Sequence, residues 1–111
     1  MRKESELDQK VVKAIDDFLR NRMGRWGYTG VRARPDVDHD GDPVLRIDAD
    51  YEYRETPMDV YATVGLISDL SDMLEKVDEY RFPRIRHHFD PRQTTTKFVS
   101  RLARSRRKKS A

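Results

Sequence analysis

The sequence contains no cysteine and only one tryptophan among its 111 residues. The absence of cysteine excludes disulfide bonds, thiolate zinc sites and a cysteine nucleophile. It is also typical of proteins that work in a reducing compartment. We therefore expect a cytoplasmic location.

Long apolar stretches are absent as well. No run approaches the roughly 18 apolar residues of a membrane span, and the N-terminal stretch MRKESELDQK has no apolar signal core. Only 36% of the residues are hydrophobic, whereas 39% are charged. We therefore expect no membrane contact, and a thin core built from one face of each element.

Acidic residues are missing from the C-terminal end of the chain. All 20 acids lie at or before Asp90 together with 15 lysines and arginines, so residues 1–90 carry a net charge of −5. Residues 91–111 carry eight positive charges and no acid. The sequence therefore predicts a compact domain over 1–90 and a basic, flexible tail over 91–111. Within the tail, we expect a short helix over residues 97–104.

Two stretches have the spacing of amphipathic helices. The first, SELDQKVVKAIDDFLRNRMG, begins with Ser5 as a suitable N-cap, and Gly24 suits the left-handed position just past its end. The second begins at TPMD, with Thr56 as N-cap and Pro57 in the first turn. Its apolar spacing predicts a long helix that reaches about Glu79, although Gly65 weakens its middle.

Three stretches alternate apolar and polar residues, which is the period of a half-buried strand. They are VRARPDVD, VLRIDADYEY and FPRIRHHF. The first two are close enough to form a hairpin. A two-residue turn at Asp40-Gly41 would set apolar residues opposite charged ones, and a three-residue loop would set Arg34 opposite Arg46.

We therefore predict a five-residue hairpin loop, His39 to Pro43, which sets Ala33 opposite Ala49. This register has the advantage of three cross-strand pairs of opposite charge. They are Asp36 with Arg46, Arg34 with Asp48, and Arg32 with Asp50.

Charge also predicts the strand order. Arg84 and Arg86 of the third strand would face acids if that strand lay beside the second, and Pro35 suits an edge strand. We predict the order 1-2-3 with the third strand parallel to the second, and 3-1-2 is the open alternative. The fold class is then α+β, in the order α-β-β-α-β, a three-stranded mixed sheet with two helices packed on one face and a basic C-terminal tail.

The stretch DVDHDGDP begins like an EF-hand calcium loop. However, the twelfth position is Ile47 where a glutamate is needed, and strands flank it instead of helices. We interpret it as a polar hairpin tip and predict no dedicated metal and no cofactor. Weak calcium or magnesium binding at Asp38, Asp40 and Asp42 is more plausible than a physiological site.

His87 and His88 are neighbours on a predicted strand, so they point to opposite faces and cannot both bind one metal ion. We expect His87 to be packed with a hydrogen bond and His88 to be exposed. Neither has a partner that the sequence can place, so we predict no catalytic residue.

Three function classes follow. The favoured one is a small non-enzymatic binding or regulatory protein that acts through contacts with a protein partner or a second copy of the chain, with a tail that can contact nucleic acid. The nucleic-acid-binding residues are predicted to be Arg101, Arg104, Arg106, Arg107, Lys108 and Lys109. The second class is a direct nucleic-acid-binding module that adds Arg32, Arg34, Arg84 and Arg86 of the sheet. The third is a small ribonuclease-like enzyme that uses His87 or His88 with an arginine.

Overall fold

A computed structural model describes residues 7–94 of the chain. Two α-helices and three strands follow one another in the order α-β-β-α-β. Their bounds are α1 Gln9–Met23, β1 Tyr28–Val37, β2 Pro43–Tyr51, α2 Leu66–Glu75 and β3 Phe82–His88. The predicted fold class is therefore confirmed, whereas residues 95–111 of the basic tail lie outside the described residues.

The three strands form one mixed sheet in the order β1-β2-β3. β1 and β2 are antiparallel, and β3 is parallel to β2. The predicted order 1-2-3 is thus confirmed, and Pro35 lies on an edge strand, where its missing N–H costs no internal ladder bond.

Both helices pack on the same face of the sheet. Every third or fourth residue of α1 and α2 is buried, and these residues share one hydrophobic core with alternate residues of β2, as amphipathic helices on a half-buried sheet require. The buried residues from these three elements are Val11, Ile15, Leu19 and Met23, then Leu66, Leu70 and Leu74, then Leu45, Ile47, Ala49 and Tyr51. The opposite face of the sheet carries the charged residues.

The predicted hairpin register is wrong. Ala33 lies opposite Ile47, and Arg34 lies opposite Arg46. The loop closes with three residues between Asp38 and Asp42, because the Asp38 N–H donates to the Asp42 carbonyl and the Gly41 N–H donates to that of Asp38. Gly41 has a φ of 85°, which is the left-handed residue of a three-residue hairpin loop.

The second helix is shorter than predicted, and Thr56 does not cap it. Residues Val60–Thr63 form a separate 3₁₀ turn, and α2 begins only at Leu66. Gly65 between them has a φ of 75°, so it breaks the helical path. The Arg22 guanidinium secures this junction by donating to the Val64 carbonyl and to the Asp69 carboxylate.

The end of α1 also differs from the prediction. Gly24 keeps a right-handed helical conformation and starts a short 3₁₀ turn, while Gly27 has a φ of 97°. A Cβ on Gly27 would collide with the Glu52 carbonyl oxygen. The left-handed position therefore lies three residues later than the sequence suggested. No helix within residues 7–94 is long and apolar enough to cross a membrane.

Candidate functional site

The face of the sheet that points away from the helices is the candidate site, and we call it the open face. The register aligns its side chains in rows across the three strands. The rows are Asp36–Val44–Phe82, Arg34–Arg46–Arg84, Arg32–Asp48–Arg86 and Gly30–Asp50–His88. The hypothesis of a direct nucleic-acid-binding module uses Arg32, Arg34, Arg84 and Arg86, and the structure brings these four arginines together on this face.

One row consists only of arginines. Arg34, Arg46 and Arg84 are directly paired neighbours on three adjacent strands, and we call them the arginine row. Neighbouring strands are about 4.8 Å apart, and like charges directly opposite each other destabilise a sheet. Sequence alone disfavours the three-residue loop for this reason, yet the protein adopts it.

A shallow depression of about 530 Å³ lies over the arginine row. Its charged lining consists of the three arginines of the row together with Arg86, Asp36 and Asp48. Four arginines against two aspartates give the depression a net charge of +2. Its charge and shape therefore suit an anion better than an apolar ligand.

Asp36 compensates part of the row's charge. Its Oδ2 accepts from Arg46 Nε at 2.6 Å and from Arg34 Nη1 at 3.3 Å. The hydrogen bond from Arg46 lowers the pKa of Asp36. Arg84 has a weaker partner, since its Nη2 lies 3.6 Å from Asp38 Oδ2. The Asp36 carboxylate thus pairs with two guanidiniums of the row, whereas the third guanidinium, that of Arg84, has only a long ion pair.

The next row places an imidazole beside an acid. His88 Nε2 lies 2.7 Å from Asp48 Oδ1, and this hydrogen bond lowers the pKa of Asp48. Arg32 turns instead to Asp50, which its Nη2 reaches at 2.7 Å. Within residues 7–94, Arg86 is exposed and forms no hydrogen bond or ion pair of its own. Sequence patterns offered no means of placing Asp48 beside His88, because the two residues are diagonal neighbours on different strands.

His87 points to the helix-covered face and is half-buried, as expected. Its Nδ1 lies 2.7 Å from the Tyr51 hydroxyl, and its ring stacks on Phe89. Burial lowers the pKa of His87 below its ordinary 6.5. Burial also raises the pKa of Tyr51, so the hydroxyl stays protonated. The expected packed histidine with a hydrogen bond is confirmed.

The acidic turn has a structural explanation. Oδ1 of Asp38 accepts hydrogen bonds from the backbone N–H groups of Asp40 and Asp42, each at 2.9 Å. Oxygens of the three carboxylates lie within 4.8 Å of one another. Asp38 already accepts the hydrogen bonds that hold the loop and lies near Arg84, so part of its negative charge is compensated within the protein. The expectation of weak cation binding stays a prediction.

A second surface depression, of about 510 Å³, lies between the two helices. Its apolar lining comes from Ala14 and Phe18 of α1 and from Met73 and Val77 in and just after α2. Charged residues rim it, including Asp17, Arg22 and Lys76. It has no cluster of groups that could perform acid–base chemistry.

The tail residues predicted to bind nucleic acid, Arg101 to Lys109, lie outside the described residues, as does the expected helix over 97–104. The chain that leads to them is attached to the domain. Met58 N–H donates to the Thr94 carbonyl at 2.8 Å, and the Gln93 side chain accepts from the Arg54 N–H. The described start of the tail, up to Thr94, is therefore hydrogen-bonded to the body of the domain.

Comparison of the chain with protein-family models, with curated protein sequences and with solved structures finds no match.

Proposed function

We propose that the chain is a small non-enzymatic binding protein whose open face and basic tail bind nucleic acid. The observation that carries this proposal is the arginine row, Arg34, Arg46 and Arg84, on a face that neither helix covers. A binding surface for phosphates needs exposed guanidiniums that converge on one place. The depression over the row supplies them.

The energetics of the row support a ligand. Three guanidiniums on adjacent strands repel one another, and Asp36 and Asp38 offset only part of that repulsion. A phosphate above the row would accept hydrogen bonds from groups that are otherwise crowded. Departures from local stability rules are concentrated at functional sites, because function keeps residues that stability alone would not.

The tail supports the same partner from a separate part of the chain. Eight positive charges without an acid attract a polyanion through counterion release, with little dependence on sequence. The acidic balance of residues 1–90 would weaken nonspecific contact elsewhere on the body. In this proposal the tail provides general affinity and the open face provides a defined contact.

Binding of fluorescent RNA and DNA oligonucleotides to the full chain tests this function. The titrations are done at about 50 mM and about 200 mM salt, a range over which binding to phosphates weakens greatly. In a face variant, Arg34→Gln with Arg84→Gln, the slope of the logarithm of the binding constant against the logarithm of the salt concentration should become shallower. The expected change is about one unit for each arginine that no longer binds a phosphate. A control variant, Lys10→Gln with Lys13→Gln, changes the charge equally on α1 and should bind like the parent chain.

A tail variant separates the two contributions. Replacing Arg104, Arg106 and Arg107 by Gln in the full chain should weaken all binding about equally, because the tail contacts phosphates only. Absence of salt-sensitive binding by the parent chain would refute the function. Equal decreases in affinity for the face variant and its α1 control would show that the open face does not take part in binding.

The RNA from these titrations also tests the ribonuclease-like alternative. His88 has Asp48 as a partner, so a proton-accepting group does exist on the open face. We propose that Asp48 only orients the His88 imidazole, and we expect the RNA to be recovered at full length after long incubation with the protein. Cleavage that disappears in His88→Gln would overturn the non-enzymatic part of the proposal.

A protein partner or a second copy of the chain stays a prediction, and the apolar groove between the helices favours it as the second candidate. Sedimentation of the full chain over a wide concentration range tests the second-copy form. A mass that stays at that of one chain contradicts it.

We also expect a cytoplasmic location, because the sequence contains no cysteine.

A further inference from the structure

Strand β3 carries an arrangement that the arginine row does not explain. Its open-face residues are Phe82, Arg84, Arg86 and His88, so a ring stands at each end and two guanidiniums lie between. Residues two apart on a strand are separated by about 6.6 Å. No acid of β3 itself interrupts this series.

The exposure of Phe82 requires a reason. Phe82 is 54% exposed, and it is not part of the hydrophobic core. Its cross-strand neighbour on the same face is Val44, which is almost fully buried. The phenyl ring thus lies outside the main core, beside a buried valine, and offers an apolar surface next to a row of cations.

The other ring is held in place. The bond between His88 Nε2 and Asp48 fixes the imidazole at the far end of the strand. Arg84 and Arg86 lie between the rings, and among the described residues their only ion pair is the long one from Arg84 Nη2 to Asp38 Oδ2, at 3.6 Å. The guanidiniums can therefore turn to an external anion without breaking a strong internal contact.

We propose that β3 is a platform for single-stranded nucleic acid, in which Phe82 stacks on a base and Arg84 and Arg86 bind the phosphates that flank it. This inference rests on the proposed function and names its substrate class. An exposed ring next to basic side chains on an open sheet can stack only on a base that is not already stacked. Duplexes hide that surface, so single strands are the preferred ligand.

The test uses the full chain and three probes of similar charge: a single-stranded RNA oligonucleotide, the matching duplex, and inorganic polyphosphate. We expect the single strand to bind at least about tenfold more tightly than the duplex. Phe82→Ala should lower affinity for the single strand about tenfold, in line with the loss of one stacked base. Affinity for polyphosphate, which has no bases, should not change.

Two further variants make the result specific to the ring on β3. Phe82→Trp should retain or improve single-strand binding, because it keeps a stacking surface. Tyr80→Ala removes another exposed aromatic ring, 71% exposed, two residues before Phe82 and outside the strand, and should have no effect. Circular dichroism of each variant confirms that the sheet is intact.

The outcomes separate this inference from the function on which it rests. Salt-sensitive binding of all three probes that is unchanged in Phe82→Ala would overturn the platform and leave the polyanion-binding function standing. Duplex affinity equal to that of the single strand would do the same. Failure of every probe to bind would overturn both.

Discussion

At the scale of single residues, glycines with positive φ decide where the chain can turn. Gly27, Gly41 and Gly65 all have this conformation. Gly27 directly precedes β1, Gly41 lies in the hairpin loop, and Gly65 directly precedes α2. Gly24, which the sequence had favoured for this role, has an ordinary helical conformation instead. The positions of these glycines therefore determine the element boundaries more directly than helical spacing does.

We predict that Gly27→Ala destabilises the protein strongly. The φ of 97° is strained for alanine, and the new Cβ would meet the Glu52 carbonyl oxygen. The expected loss in unfolding free energy is about 2–3 kcal/mol, from strain and displaced backbone together. Urea unfolding measures it. Gly24→Ala is the matched control, since a Cβ there meets nothing within 4 Å, and a comparable loss in both variants would contradict the account.

His87 makes the stability depend on pH. Because burial holds its pKa below 6.5, the unfolded chain binds a proton more readily than the folded one. This contribution is fully present above pH 6.5 and is lost as the pH falls from there towards the lowered pKa. We expect the unfolding free energy to decrease over that window.

The variant His87→Gln isolates this contribution, because it keeps a polar group near the Tyr51 hydroxyl but does not titrate. His88 and the carboxylates remain in it, so subtracting the two pH profiles leaves the part due to His87. A difference profile that stays flat as the pH falls below 6.5 would show that the pKa of His87 is not lowered in the folded protein.

At the scale of elements, the sequence predicted the strand order but not the hairpin register. Arg84 and Arg86 do lie beside β2, where Asp48 is available, so net charge pointed to the correct neighbour. The register depended on pairs of opposite charge placed directly across the strands. Two of the three expected pairs exist, Asp36–Arg46 and Arg32–Asp50, but they join diagonal neighbours.

Long arginine side chains explain this failure. They reach a carboxylate one step along the neighbouring strand as easily as one directly opposite, so charge pairing does not distinguish registers that differ by two residues. The better signal was Gly41, whose left-handed conformation specifies a three-residue loop. Similarly, Gly65 in the middle of an apolar spacing was a stop, and the spacing alone could not show it.

The hairpin itself gives a prediction. Asp38→Ala should lower the unfolding free energy by about 1–2 kcal/mol, because it removes the acceptor of two backbone N–H groups in the loop. Asp40→Ala changes the charge equally, and its side chain is 70% exposed. Hydrogen exchange of the hairpin amides and urea unfolding should both separate the two variants; equal effects would mean that the turn does not depend on Asp38.

At the scale of the whole molecule, the helices and the open face have separate tasks. The helices bury one side of the sheet, and the core they form allows the other side to remain uncovered and charged. The sequence predicted that division and the four arginines that point to it. It could not predict the arginine row, because local charge rules argue against such a row, and a rule based on stability cannot anticipate residues kept for binding.

A role of Arg84 in phosphate binding is tested by unfolding of the parent chain and of Arg84→Gln, each with and without a single-stranded oligonucleotide at low salt. Without ligand, we predict that the variant is at least as stable as the parent, since it relieves repulsion within the arginine row. With ligand, the parent should gain more stability than the variant, because a ligand that binds more tightly stabilises the folded state more. A variant that is less stable without ligand, yet gains as much with it, would show that Arg84 serves the fold and not a phosphate.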